Sequence, residues 1–226
     1  MPGPTRSTRT SFVLVAEAAL VAAALLVPAR AMAATESYTI DPDHSAVGFK
    51  IRHLFSRVPG RFTKFEGTIR LDQADLSKGS VQFTIQAASI DTDEPARDKH
   101  LRSDAFFDVE NHPKITFQST RVKSAAPNKL QVDGNLTIRG TTKPVTLDVD
   151  VLGFGPGLGA YRAGFEARTR INRQDFGVKW NDIVEGGGYV LGDDVDITIN
   201  VEAARDKPKA AGAETKGQET TPATQS

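Results

Sequence analysis

The sequence predicts an all-β fold, an antiparallel eight-stranded barrel with one short helix at the barrel mouth. Apolar residues recur at every second position in eight separate runs, and polar or charged residues fill the positions between them. Connections rich in Gly, Pro, Asn or Asp separate most of the runs. Alternation with a period of two is typical of half-buried antiparallel strands, and eight such strands favour a sandwich or a closed barrel.

The first four runs place the following side chains on the inward face of the sheet: Val47, Phe49, Ile51, His53 and Phe55; Phe65, Gly67, Ile69 and Leu71; Val81, Phe83, Ile85 and Ala87; Ile115, Phe117 and Ser119. The last four runs continue the inward face: Leu130, Val132, Gly134, Leu136 and Ile138; Val145, Leu147, Val149 and Val151; Tyr161, Ala163, Phe165, Ala167 and Ile171; Val195, Ile197, Ile199 and Val201. A barrel of about eight strands has an interior just large enough for one small ligand. The outward faces carry charges of both signs, which favours a water-facing surface over an outer-membrane barrel.

One helix is predicted, over residues 93–103. Thr92 is a suitable N-cap and Pro95 is tolerated in the first turn. Asp98 and Arg102 are four residues apart, so we expect them to pair along the helix surface.

The segment after this helix reads Ser103-Asp104-Ala105-Phe106-Phe107. The stretch RDKHLRSDAFF (97–107) therefore ends a polar helix on two adjacent phenylalanines. We expect it to form the lid of an apolar pocket, with Leu101, Phe106 and Phe107 facing inward.

Both ends of the chain differ in composition from the centre. Residues 1–33 read as a signal peptide, with an apolar run at 18–27 and Ala31-Met32-Ala33 as the cleavage pattern. Residues 205–226 contain no large apolar side chain, which predicts a disordered polar tail. The expected domain therefore covers residues 34–204, and the expected location is periplasmic or secreted.

Composition excludes several classes of protein. The chain has no cysteine, so it contains neither disulfides nor a catalytic thiolate. Removing residues 1–33 leaves 28 − 3 = 25 basic and 28 − 1 = 27 acidic residues. This balance gives no indication of a nucleic-acid partner.

Catalytic and metal sites are not expected. Asp41, His44 and Ser45 resemble a triad only in composition, because adjacent residues on a strand point to opposite faces. A turn starting at Asp41 is the simpler interpretation. The four histidines lack the short spacings of familiar zinc sites. The triple glycine at 186–188 lacks the Lys-Ser/Thr of a nucleotide loop, which favours a flexible hairpin connection.

Three side chains have two interpretations each. His53 lies on the inward face, where it is either a core residue or a contact for a ligand head group. His100 either bonds a loop carbonyl or contacts a head group at the mouth. Trp180 either packs in the core or contacts the ligand. Arg97 and Asp98 are interpreted as structural residues that position the loop.

Seven segments in order resemble the YceI-like family of polyisoprenoid-binding, lipocalin-like proteins. They are DPDHSAVGFKIRH (41–53), GRFTKFEGTIRLD (60–72), SIDTDEPARDKHLRSDAFFD (89–108), HPKITFQST (112–120), GNLTIRGTTKPVTLDV (134–149), INRQDFGVKWN (171–181) and EGGGYVLGDDVDITI (185–199). The resemblance implies a barrel that holds a long apolar chain such as a polyisoprenoid, an isoprenoid quinone or a fatty amide. It also implies export, no catalytic residue and no cofactor.

We therefore expect an exported protein that carries or sequesters a long-chain isoprenoid or a fatty-acid-derived lipid. The expected ligand-binding residues are Val47, Phe49, Ile51, His53, Phe55, Phe83, Ile85, His100, Leu101, Phe106, Phe107, Ile115, Phe117, Phe165 and Trp180. An isoprenoid-modifying enzyme and an interaction module with a filled core stay open as alternatives, as does a homodimer. Small inward residues, among them Gly67 and Gly134, either leave room for a ligand or ease strand curvature.

Overall fold

The structure is a computed structural model that describes residues 35–207 and Gly3. Apart from Gly3, the expected signal peptide lies outside the described residues, as do residues 208–226 of the expected tail. The described elements are β1 (Glu36–Ile40), β2 (Ala46–His53), β3 (Ser56–Phe62), β4 (Phe65–Leu71), β5 (Ser80–Gln86), β6 (Ile90–Asp91), α1 (Pro95–Arg102), β7 (Lys114–Ala126), β8 (Lys129–Ile138), β9 (Thr141–Gly157), β10 (Ala160–Asn172) and β11 (Leu191–Arg205). The start predicted for the tail is wrong, because Arg205 ends β11 and pairs with Tyr38, and the Asp206 N–H donates to the Ser37 carbonyl.

Eight strands form a closed antiparallel ring in the order β1, β4, β5, β7, β8, β9, β10 and β11. The ring closes where β1 pairs with β4 on one side and with the end of β11 on the other, with Tyr38 opposite both Ile69 and Arg205. The prediction of an eight-stranded antiparallel barrel is confirmed.

The strand β11 is long enough to pair with two strands in succession. Its last residues pair with β1, and the part from Leu191 to Asn200 pairs with β2. A 3₁₀ turn, Pro42–His44, separates β1 from β2. The strands β1 and β2 therefore lie on the same side of β11. The break between them lies opposite Glu202, and the Glu202 carbonyl accepts the Asp41 N–H at 2.9 Å.

Three strands were not expected from the sequence: β1, β3 and the two-residue strand β6. The strand β1 is too short to show a clear alternation. The strand β3 contains Pro59 and Gly60, which weaken a strand pattern. It pairs with β2 along its whole length but with β6 only at Arg61 and Phe62, so Pro59 lies where few ladder bonds are required.

The helix α1 lies over one end of the barrel and differs in detail from the prediction. It begins at Pro95, and its N-cap is Glu94, whose carboxylate accepts the Ala96 N–H at 3.2 Å. The expected pair of Asp98 with Arg102 is wrong. Arg102 donates instead to the carbonyl of Ala88, just before β6, at 2.8 Å and to that of Ile90, the first residue of β6, at 2.6 Å. Within residues 35–207, no helix is long and apolar enough to cross a bilayer.

The inward glycines of the barrel serve the packing of aromatic rings. A Cβ on Gly134 would lie 2.3 Å from the Phe117 ring, and one on Gly67 would lie 2.9 Å from the Phe83 ring. The absence of a side chain at each glycine lets a ring from the neighbouring strand approach the backbone closely. The space at these two glycines is therefore occupied by protein and is not open to a ligand, and their effect on strand curvature stays a prediction.

We predict that Gly134→Val destabilises the protein by about 1–3 kcal/mol, because the new side chain must displace the Phe117 ring. Gly155→Val is the matched control, since a Cβ there meets nothing within 4 Å and its stability change should stay within about 0.5 kcal/mol. Urea unfolding measures both variants. Equal stability of the two variants would contradict this account of the packing.

Candidate ligand-binding cavity

The barrel encloses a cavity of about 560 Å³. Small-molecule sites in proteins commonly have volumes of about 300–1,000 Å³. Fourteen of the fifteen predicted site residues line this cavity: Val47, Phe49, Ile51, His53, Phe83, Ile85, His100, Leu101, Phe106, Phe107, Ile115, Phe117, Phe165 and Trp180. The parity of the strands accounts for nine of these side chains, whereas His100, Leu101, Phe106, Phe107 and Trp180 reach the cavity from α1 and from loop segments. Their contact with a ligand stays a prediction.

Phe55 is a correction to the predicted site. Its side chain is 96% exposed and does not line the cavity. The strand β2 ends at His53, and Leu54 adopts a positive φ of 47° in a tight turn that pairs His53 with Ser56. The predicted run of inward residues continues to Phe55, but the strand ends at His53. Phe55 therefore lies in the turn and points into solvent.

Aromatic rings cluster at the end of the cavity that α1 covers. The His100 ring lies edge-on to Phe106 and to Trp180, with centroids 4.9 Å apart in both pairs. The Phe106 and Trp180 rings are 5.1 Å apart. This contact joins α1, the segment that follows α1, and the segment before β11. We call this end of the barrel the mouth.

The mouth histidines have the free polar atoms that a head-group contact needs. His53 is half-buried, and His100 is exposed on one side. Among residues 35–207, neither imidazole has a hydrogen-bond partner. The expected alternative for His100, a bond to a loop carbonyl, is therefore not observed in this part of the chain.

The helix is held over the barrel by a buried network centred on Thr92. The Asp98 carboxylate accepts from the Thr92 N–H at 2.9 Å and from its hydroxyl at 2.6 Å. The Arg97 guanidinium donates to the Thr92 hydroxyl oxygen at 2.7 Å and to its carbonyl at 2.8 Å. Asp98 is buried. The interpretation of Arg97 and Asp98 as structural residues is confirmed.

Arg173 is a residue of the cavity wall that the sequence analysis missed. It is only 4% exposed and lies in the 3₁₀ turn Arg173–Phe176 after β10. Its guanidinium donates to the carbonyls of Val178 at 2.8 Å, Trp180 at 2.7 Å and Gly192 at 2.9 Å. Burial lowers the pKa of Arg173. Arg173 thus fixes the segment that carries Trp180, and no spacing signal distinguished it from the surface arginines.

A second arginine holds the same segment from another strand connection. Arg139, between β8 and β9, donates to the carbonyl of Asp104 at 2.7 Å and to that of Gly177 at 2.8 Å. It therefore ties the segment after α1 to the turn after β10.

The residues considered as a triad form a structural cluster at the far end of β2. His44 Nδ1 lies 2.9 Å from the Asp41 carboxylate, but the Ser45 hydroxyl bonds the backbone of Glu202 rather than His44. Arg162 donates to Asp41 at 2.7 Å and to Glu202 at 2.6 Å. Asp41, His44 and Glu202 also have the spacing of a metal site. Arg162 contacts both carboxylates, and its single positive charge offsets one of their two negative charges.

The triple glycine forms a hairpin turn, as predicted. Ile183 bridges Tyr189, and the Val184 N–H donates to the Gly188 carbonyl at 3.0 Å. Gly186, Gly187 and Gly188 have φ values of 97°, 96° and 107°, which side chains rarely adopt.

The described residues thus define a closed antiparallel β-barrel protein with an internal apolar cavity. Residues 38–203 match the model of the YceI-like domain. A UPF0312 protein of Serratia proteamaculans is 42% identical over 192 residues, which cover 83% of this chain and 96% of the relative. The chain belongs to the YceI-like family.

Two solved structures share the fold. BcnA of Burkholderia cenocepacia aligns with a TM-score of 0.64 at 28% identity, covering 73% of this chain and 99% of BcnA. A domain from Saccharophagus degradans aligns with a TM-score of 0.57 at 16% identity, covering 76% of this chain and 99% of that domain. The Saccharophagus domain is described as a polyisoprenoid binding domain implicated in plant cell wall breakdown.

We predict that Arg173→Met lowers the free energy of unfolding by about 2–4 kcal/mol, because three buried carbonyls lose a charged donor. The emission of Trp180, the only tryptophan, should also change as its segment loosens. The matched control is Arg168→Met, which removes exposed ion pairs with Asp150 and Glu166 and should cost less than about 1 kcal/mol. Urea unfolding that ranks the two variants equally would contradict this role of Arg173.

We predict that the Asp41 carboxyl titrates near pH 2, since hydrogen bonds from Arg162 and then His44 lower its pKa to about 2. A lowered pKa in the folded state means that the contribution of Asp41 to stability is present above its ordinary pKa and is lost as the pH falls through about 2. NMR of the side-chain carboxyl measures the midpoint. Arg162→Gln should raise it, whereas Glu202→Gln keeps the Arg162 contact and should leave it low. An ordinary midpoint in the parent protein would refute the contact.

Proposed function

We propose that this protein binds a long-chain isoprenoid, an isoprenoid quinone or a related amphiphilic lipid inside the barrel. The observation that carries the proposal is the enclosed cavity of about 560 Å³, lined mainly by aliphatic and aromatic side chains. Membership of the YceI-like family and the shared fold with a polyisoprenoid binding domain add support.

The driving force for such binding is burial of the lipid chain. Each buried CH₂ group contributes about 0.8 kcal/mol, so a twenty-carbon chain gains at most about 16 kcal/mol before the costs of ordering and association. A ligand can therefore bind tightly without any charged contact. In this proposal the apolar chain extends along the interior of the barrel, and the polar end lies at the mouth near His53, His100 and Trp180.

The cavity favours binding over the two alternatives. Its titratable lining residues among the described ones are His53, Arg70, Arg97, His100 and Arg173, and none of them is a carboxylate. An isoprenoid-modifying enzyme that uses paired acid and base groups would need a second kind of group within reach of the histidines. An interaction module with a filled core would not enclose a cavity of this volume. We further propose that the protein is exported after cleavage at Ala33 and acts as a carrier or scavenger.

The experiment that tests the function is native mass spectrometry of the protein purified from its own host, followed by solvent extraction and lipid analysis. A stoichiometric prenyl lipid or quinone supports the proposal and identifies the ligand. A protein that carries no lipid and takes up no added polyprenol refutes it.

We predict that Ala167→Phe reduces polyprenol uptake by about tenfold or more, since Ala167 lines the cavity and the added ring occupies ligand space. Ala167→Leu, which fills less volume, should have a smaller effect. Gln118→Phe adds the same ring on an exposed position and should not change uptake. Thermal unfolding of all three variants separates loss of the cavity from loss of the fold. Undiminished uptake by a folded Ala167→Phe variant would contradict binding in the cavity.

A further inference from the structure

Large apolar side chains are exposed at the tips of two loops beside the mouth. Phe55 is 96% exposed and Leu54 is 37% exposed in the turn between β2 and β3. Ile183 is 73% exposed and Tyr189 is 71% exposed in the hairpin before β11. We call these four residues the rim. Exposed apolar groups that cluster are uncommon on monomeric proteins and mark surfaces that contact a partner.

Backbone hydrogen bonds hold the two loops side by side. The Leu54 N–H donates to the Val190 carbonyl at 2.9 Å, and the Val190 N–H donates to the Asp182 carbonyl at 3.0 Å. Ile183 bridges Tyr189 within the hairpin. The four side chains therefore project from one small region of the surface.

The rim is continuous with the opening of the cavity. Each rim loop is flanked by residues that line the cavity: His53 precedes Leu54, and Val190 and Leu191 follow Tyr189. A lipid leaving the cavity beside His53 and Trp180 reaches the rim before it reaches the rest of the surface.

We infer that the rim docks on the surface of a lipid bilayer, so that the cavity opens toward the acyl chains. The inference rests on the proposed function, because a long-chain lipid is held in bilayers and crosses water poorly. Amphipathic aromatic side chains such as that of Tyr189 are suited to the region between water and acyl chains. When the rim is docked, a lipid that moves between the bilayer and the cavity passes along apolar side chains and does not cross water.

The charges around the rim favour contact through apolar insertion. Within three residues of a rim position, the chain carries Arg52 and Arg57 against Asp182 and Glu185. Arg57 is also paired with Asp196. This balance is close to neutral. A nearly neutral surface does not require anionic lipids, and its binding depends weakly on salt.

A second pair of exposed apolar residues supplies a matched control. Leu152 is 64% exposed and Leu158 is 72% exposed. Leu158 lies in the turn before β10, whereas the other end of β10 leads to Arg173 and the mouth. Leu158 thus lies at the opposite end of the barrel from the rim and has a similar degree of exposure.

The test uses the full chain, whose lack of cysteine allows a single label to be placed. Ser56→Cys beside the rim, or Leu158→Cys at the far end, is labelled with the environment-sensitive nitrobenzoxadiazole group. Each protein is mixed with vesicles of palmitoyl-oleoyl phosphatidylcholine. We expect the label at position 56 to shift to shorter wavelength and gain intensity, and the label at position 158 to stay unchanged. Residues 1–34 are the same in both proteins.

A double substitution, Phe55→Ser with Ile183→Ser, should lower the vesicle response of the position 56 label by about tenfold or more. Leu152→Ser should leave it unchanged, and added salt should alter it by less than about twofold. An unresponsive label at position 56, or equal responses at positions 56 and 158, overturns the inference. A response that depends on protein concentration without vesicles also overturns it, since the rim then contacts a second copy of the chain.

Polyprenol uptake, measured separately for the same variants, distinguishes the two proposals. Failure of vesicle docking with intact uptake refutes the docking surface alone. If the unsubstituted protein docks on vesicles but takes up no polyprenol, the proposed function of the cavity is refuted. The rim then binds membranes for a purpose other than lipid transfer to the cavity.

Discussion

The pairing of β11 with both β1 and β2 is the constraint on which the rest of the structure depends. Only the last residues of β11 face β1, through pairs such as Thr39 with Ala204. Side chains and termini reinforce this short ladder: the Ser45 hydroxyl bonds the backbone at Glu202, and the Asp206 N–H donates to the Ser37 carbonyl at 2.8 Å. Closure therefore joins the first described strand to the last. Contacts of such long sequence separation are typical of slowly folding β proteins.

Closure of the ring also explains how an apolar interior can stay partly open. In the closed ring the backbone groups of each strand are satisfied by its neighbours. The sheet keeps an edge outside the ring, along the part of β3 that β6 does not pair with. The side chains inside then have only to line the wall. The Phe117 ring packs so closely on the next strand that a Cβ on Gly134 would lie 2.3 Å from it. Two of the arginines that line the cavity, Arg97 and Arg173, lie at the mouth. Their guanidinium groups already donate hydrogen bonds to backbone and side-chain acceptors of the protein.

Strand parity predicted most of the cavity wall, because a period of two assigns every alternate residue of a regular strand to one face. It failed where the backbone departs from the strand. Phe55 continues the apolar pattern, but the positive φ of Leu54 turns the chain first. The prediction of a pair between Asp98 and Arg102, four residues apart in α1, failed for a related reason. Each side chain bonds a partner outside the helix instead: Asp98 bonds Thr92, and Arg102 bonds the carbonyls of Ala88 and Ile90. Arg173 could not be found from sequence, because its role depends on carbonyls that only the fold brings to it.

The position of the chain ends relative to the mouth has a practical consequence. Tyr38 pairs with Arg205, so the described chain enters and leaves the barrel side by side at the end of β11 that is remote from His53. Anything joined before residue 35 or after residue 207 is attached at that remote end. A carrier surface, a fluorescent fusion or an affinity tag can thus be coupled there with the opening of the barrel directed away from the support, so immobilised protein suits direct measurement of lipid exchange.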